Sequence, residues 1–199
     1  HQEKDTIIRE LSAQLDRPDV CAHDRLKSHI WQNHPLGRPI GGTIASVAAL
    51  QRQDVLDFVS KNYQPRRLIV AAAGNLTHQD VVTNVADAFW AMKDDGQTDV
   101  IIQPPIFHGG VTVECKGVSH AYFSIGLKAA PYAASERYLI HLLAGLLGGG
   151  MSSRLFRTLR QELGVVYDIT AEYQAYRDDG VIVIEGSTTP ELLQTVISQ

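Results

Sequence analysis

Apolar residues recur at helical spacing from the start of the chain. Ile7, Ile8, Leu11 and Leu15 fall on one arc, with Glu10 beside it, and Pro18 ends or interrupts the run. A second helical stretch follows over about 20–32. The nine residues from His34 to Gly42 hold two prolines and three glycines, so no regular element fits there. Ser46, or failing that Thr43, is placed to cap a short turn before a helix over about 52–62. The nearly all-apolar run 67–74 predicts a buried strand, and Thr77 is placed to cap a helix whose core side carries Val81, Val82, Val85 and Phe89.

Residues 97–110 have linker composition, which predicts a boundary between a first domain, 1–96, and a second, 111–199. In the second, 111–115 and 121–127 alternate as strands do. Ser135 is placed to cap a strongly apolar helix through Tyr138, Leu139, Leu142, Leu143 and Leu146. That helix ends at Gly148, Gly149 and Gly150. Beyond the glycines, Ser152 or Ser153 is placed to cap a basic helix. Its Leu155, Phe156, Leu159 and Leu163 share an arc of about 100°. Arg157 points away from this arc and Arg160 lies at its edge. Gly164 sits where a left-handed residue ends a helix. Two strands, 168–176 and from 181, joined by the turn 177–180, complete the pattern.

The run from Val181 through Thr188 to Val196 echoes the run from Leu68 through Thr77 to Val85. The implied class is α+β: two related mixed domains, each an antiparallel-rich sheet packed with helices. The chain opens within one helical pattern and stops within another. It therefore reads as a segment of a longer polypeptide, the first domain truncated at its N-terminal side and the second at its C-terminal side.

Composition narrows the function classes. A net charge of −4 offers no basic excess for nucleic acid, and no run of about 18 apolar residues is present to span a bilayer. Cys21 and Cys115 form no CxxC pair, which argues against a disulfide scaffold and favours a reducing, intracellular compartment. HExxH, HxxEH, GxSxG and P-loop motifs are absent. His23 and His29 stand six apart, a poor spacing for two metal ligands on one helix face, and read as polar side chains without a catalytic duty.

Three segments nevertheless carry a resemblance: Glu3-Lys4-Asp5-Thr6-Ile7-Ile8-Arg9-Glu10; His34 to Gly42 with Tyr63 and the run into Ala73-Gly74-Asn75; and the stretch from Gly148 to Tyr167 with Tyr173, Asp179 and Gly180. Together they resemble the zinc metallopeptidases of the pitrilysin/insulinase (M16) class, especially the branch of the mitochondrial processing peptidases and their bacterial relatives. The resemblance covers nearly the whole chain. It implies a part in a zinc-dependent metalloendopeptidase acting on peptides or unfolded segments. Glu10 would be the third Zn2+ ligand, two histidines and a general-base glutamate coming from an upstream HxxEH helix. Arg160 and Tyr167 would be the pair that holds the substrate carbonyl, acting in the chamber of another half or subunit. Gly148, Gly149 and Gly150 would be the glycine-rich loop that handles substrate. It further implies a homodimer or a heterodimer with another M16 half, and a segment inactive alone. The alternative within the same family is a non-catalytic partner subunit or peptide-binding domain.

Overall fold

The computed structural model describes residues 2–92 and 102–199. The expected boundary at residue 96 and linker residues 97–101 lie outside the described residues. Contacts group the chain into two compact units, His1–Val47 with Gln103–Gln199, and Ala48–Ile102.

In the first unit, α1 (Gln2–Leu15) stops before Pro18, and that proline opens α2 (Pro18–Ile30). A proline costs nothing there, because the first-turn N–H groups have no helical partner. A short helix, α3 (Ile44–Ala49), follows the proline- and glycine-rich loop. Thr43 is its cap: Ser46 N–H donates to Thr43 Oγ1 at 3.1 Å, and Thr43 N–H to Ser46 Oγ at 2.8 Å. The cap is thus the second of the two residues expected, not the first. A hydroxyl at the third helical position closes a reciprocal cap as well as Glu or Gln does.

The sheet is antiparallel and of order β1-β3-β2, with β1 Ala121–Ala129, β2 Asp168–Ala175 and β3 Gly180–Thr188. β2 and β3 form the expected hairpin, its turn closed by Tyr176 N–H donating to Asp179 O at 2.8 Å. The mixed class expected from the sequence is therefore found. On one face α2 brings Ile30 and Trp31 onto Val181 and Val183. On the other, Phe123, Ile169 and Ile184 meet Leu159, Val166 and Val196, the last from α7 (Leu193–Ile197).

The helix α6 (Arg137–Gly148) packs on β2 through its small residues. Ala144 and Gly148 are buried, while Tyr138, Leu139, Leu142 and Leu146 are exposed. A Cβ on Gly148 would lie 2.2 Å from the Ala171 backbone nitrogen, so only glycine allows this approach. Gly148→Ala is expected to cost about 1–3 kcal/mol as the helix is pushed off the strand, read as a lower denaturant midpoint. The Ser135 cap is not made. Its hydroxyl donates to Glu136 Oε2, and the residue flanking the helix is Glu136, without a side-chain bond to the backbone.

Two expected strands are absent among the described residues. Residues 111–115 do alternate, but with the opposite sense. Thr112 Oγ1 meets His29 Nδ1 at 3.1 Å and Glu114 pairs with Arg25 at 3.0 Å, so the polar side chains face α2 and Val111 and Val113 are left exposed. The segment gains polar partners on a helix where a ladder partner would be needed to make it a strand.

In the second unit, α4 (Arg52–Asn62) is capped by Gln51, whose N–H donates to Asp54 Oδ2 at 2.7 Å. In α5 (His78–Phe89) Thr77 Oγ1 accepts from Asp80 N–H at 3.2 Å, as its position predicts. Between them the run 68–73 pairs with no strand among the described residues, and Ile69 is 95% exposed. An apolar run becomes a buried strand only when neighbouring strands take its backbone groups. The internal echo is correspondingly partial. Thr77 caps a helix, whereas its counterpart Thr188 donates to Val165 O at 2.5 Å and pins a turn.

One polar cluster joins α2 to the sheet. His23 Nδ1 lies 2.7 Å from Glu185 Oε1, which also accepts from Ser124 Oγ at 2.8 Å. Burial pushes the Glu185 carboxyl up, but the bonds to His23 and Ser124 and the charges of His23 and Lys27 outweigh it, holding it below the usual carboxylate range. Its protonation is therefore easier unfolded than folded. The stabilisation is complete above the usual carboxylate range and is lost as the pH falls through the depressed folded value. Glu185→Gln is expected to flatten the acid limb of a melting-temperature-against-pH curve, leaving the curve parallel to wild type near neutrality.

Candidate functional site

A set of directed contacts holds the segment around Tyr167. Upstream, the chain leaves α6 through Gly149 and Gly150, and Ser153 N–H donates to Gly150 O at 3.0 Å. The helix that follows widens into a π-helix over Phe156–Glu162, and Leu163 N–H reaches back five residues to Thr158 O at 2.9 Å. Such turns are rare and often mark functional segments. Leu159 is buried beneath it, whereas Leu163 at its end is half exposed. Of the two serines expected to cap it, Ser153 does not, since its buried Oγ has no hydrogen-bond partner. Gly164 takes φ +63°, the left-handed value its position predicts, and reverses the chain.

Val165 N–H donates to Leu159 O at 2.9 Å, and four more bonds then fix residues 165–168. Thr188 Oγ1 donates to Val165 O at 2.5 Å, and Tyr167 N–H to Ser187 O at 2.8 Å. Ser187 Oγ donates to Asp168 Oδ1. The fourth comes from Arg160, whose Nη1 donates to Val166 O at 2.9 Å. Arg160 thus reaches across the glycine to the peptide next to Tyr167. Val166 points into the core, 2% exposed, and Tyr167 points out, 49% exposed. A guanidinium and a phenol are both donors suited to a carbonyl oxygen or to the negative charge that develops on it.

His120 is a neighbour of Tyr167 that sequence reasoning did not single out. Its ring packs edge-on against Tyr167, centroids 4.7 Å apart and planes at 72°, and Ser119 Oγ lies 3.0 Å from its Nδ1. Tyr122 flanks it at 6.4 Å. The pairing of Ala121 with Thr188 brings His120 to Tyr167, and that register has no local signature.

The remaining candidates lie apart from this pair in character. Glu10 is exposed on α1, and no group of three His, Cys, Asp or Glu that could hold a metal occurs among the described residues. One carboxylate does not make a zinc site. Gly148 has a packing duty, while Gly150 opens onto free space. Cys21 and Cys115 are free thiols. Among the described residues no helix is long and apolar enough to cross a membrane.

A family model described as the peptidase M16 inactive domain matches residues 49–199. The chain belongs to that family. The M16 chain is 30% identical, over 199 residues, to a protein of Rickettsia felis named as an uncharacterized zinc protease, covering 100% of this chain and 48% of that one. Its fold matches the crystal structure of a peptidase M16 inactive domain from Pseudomonas fluorescens with a TM-score of 0.83 at 18% identity, covering 99% of this chain and 48% of that one. A chain of complex III2 from Candida albicans matches with a TM-score of 0.80 at 22% identity, covering 96% and 47%. The chain spans about half the length of the curated relatives it matches.

Several residues that carried the M16 resemblance have structural duties. Asp179 is buried and accepts Trp31 Nε1–H at 2.8 Å. Tyr173 donates to Ala130 O at 2.6 Å, and burial raises its phenol above the ordinary value despite the nearby charge of Arg137. A Cβ on Gly180 would meet that same Ala130 oxygen at 2.0 Å. His34 accepts from Leu36 N–H through Nδ1 at 3.2 Å, which leaves Nε2 to donate to Gln103 O at 3.0 Å.

Proposed function

We propose that this M16 chain is part of a zinc-dependent metalloendopeptidase acting on peptides or unfolded segments, and that Arg160 and Tyr167 bind the carbonyl of the substrate. The observation that supports this reading is the Arg160 bond to Val166 O, the peptide next to the exposed Tyr167, in a chain whose relatives are named zinc proteases. In the same reading Glu10 is one of three zinc ligands, the other two lying outside this sequence, and Gly148, Gly149 and Gly150 adjoin the path of the substrate. Bound zinc would supply an activated water. This chain's part is to orient the peptide and stabilise the charge on its carbonyl oxygen. The active assembly pairs this chain's unit with another M16 half, as a homodimer or a heterodimer. The segment alone has no activity.

A second reading is a non-catalytic partner that presents the same pair, and the family description itself, an inactive domain, favours it. Both readings place Tyr167 against substrate. The deciding experiment is peptide cleavage by the intact protein, purified alone and with its co-purifying M16 partner, as wild type and as Tyr167→Phe. Cleavage without a partner selects the first reading as a homodimer; where cleavage needs the partner, its loss on Glu10→Gln selects the first reading as a heterodimer, and its survival selects the second. A wild-type rate for Tyr167→Phe in both preparations removes the carbonyl-binding role.

A further inference from the structure

We propose that His120 is a positioning residue for Tyr167, holding the phenol in the direction from which it meets a substrate carbonyl. This rests on the reading of Tyr167 as a carbonyl donor. The bonds to the peptides of Val165, Val166 and Tyr167 hold the backbone there, but none of them touches the Tyr167 ring. An exposed tyrosine on a fixed backbone still samples several rotamers, and each must be frozen out when substrate binds. Among the described residues the aromatic ring that packs on Tyr167 is that of His120, edge-on at 4.7 Å. Pairs with this geometry are attractive beyond their buried area, because the positive edge of one ring meets the negative face of the other.

The imidazole is itself restrained. Ser119 Oγ lies 3.0 Å from its Nδ1, and Tyr122 lies on its other flank at 6.4 Å. Ala121 pairs with Thr188, while the N–H of Tyr167 donates to Ser187 O. His120 and Tyr167 therefore converge from opposite sides of one end of β3. Restraint passes from Ser119 to the imidazole and from the imidazole to the phenol. An aliphatic side chain at position 120 would lack the ring edge, and phenylalanine would keep the ring but lose the bond to Ser119. Because the phenol bonds most strongly to charge that develops in the transition state, misdirecting it lowers kcat more than it raises KM.

The test is steady-state peptide cleavage by the intact protein in its active assembly, comparing wild type, His120→Ala, His120→Phe, Tyr167→Phe and the double variant His120→Ala/Tyr167→Phe. His120→Ala is expected to lower kcat about three- to tenfold with KM within about twofold of wild type. His120→Phe is expected to recover most of that loss. The double variant is expected to be no slower than Tyr167→Phe, since His120 acts through that ring. Equal thermal midpoints for His120→Ala and His120→Phe would show that the rescue is not one of folding. A wild-type rate for His120→Ala beside an impaired Tyr167→Phe overturns the role of His120 alone. So does failure of His120→Phe to rescue, or a loss in the double variant equal to the product of the single losses. A wild-type rate for Tyr167→Phe, or absence of cleavage in every assembly, overturns the carbonyl-binding reading and the positioning role with it.

Discussion

Trp31→Ala is expected to destabilise the protein by about 3–5 kcal/mol, as for other large aromatic residues truncated in a core. Trp31 is 0% exposed and packs with Ile30 against Val181 and Val183, where α2 lies on the sheet. Its ring stands edge-on to Tyr176 at 5.2 Å, and its indole N–H satisfies the buried Asp179 carboxylate at 2.8 Å. A loss of this size is comparable to the whole stability of a small domain, so α2 should detach from the sheet. Two further variants separate packing from hydrogen bonding. Trp31→Phe keeps most of the apolar volume but leaves Asp179 without its donor, at a cost of about 1–3 kcal/mol. Asp179→Asn keeps an acceptor oxygen and is expected to cost less than either. Urea unfolding followed by far-UV circular dichroism measures all three. Fluorescence is a poor substitute, since the other tryptophan, Trp90, is 83% exposed. A change below about 1 kcal/mol for Trp31→Ala would mean that the α2–sheet core is not where the stability of this unit resides.

What the amino-acid pattern made legible here was local. Pro18 opening α2, Thr77 capping α5, Gly164 at positive φ and the hairpin turn before Gly180 each follow from a residue and its immediate neighbours. The expectations that failed depended on distant partners. The run 68–73 has the composition of a buried strand but no strand beside it among the described residues, and 111–115 turns its polar side to α2 because Arg25 and His29 stand there. The π-helix over Phe156–Glu162 was invisible for another reason. Its residues read equally well as an ordinary helix, and only the placement of the Thr158 carbonyl shows the wider turn. The site was legible in the same uneven way. Periodicity put Arg160 at the edge of a buried face, and the family resemblance joined it to Tyr167. The bond from Arg160 to Val166 O, beside Tyr167, and the arrival of His120 from just before β1, depend on three-dimensional register alone.

That bond sharpens what Arg160 is expected to do. In the intact active assembly Arg160→Ala is expected to reduce kcat for peptide cleavage by about 10²–10³, the range seen when a donor to a developing oxyanion is removed, and Tyr167→Phe by about 10². Arg160→Lys is expected to recover little. An ammonium group is a point charge without the planar fork needed to hold Val166 O and a substrate oxygen together. The double variant should lose less than the product of the single losses. Deleting Arg160 frees the Val166 peptide, so Tyr167 is already misplaced before its hydroxyl is removed. Stability provides the control, because one hydrogen bond from an exposed arginine contributes only about 1 kcal/mol. If Arg160→Ala lowers the melting temperature by a few degrees yet leaves kcat intact, the guanidinium is a strut for the Gly164 turn and the substrate meets Tyr167 alone. If kcat collapses while the melting temperature barely moves, the strut also reaches the substrate, and one side chain both shapes the turn and binds the carbonyl.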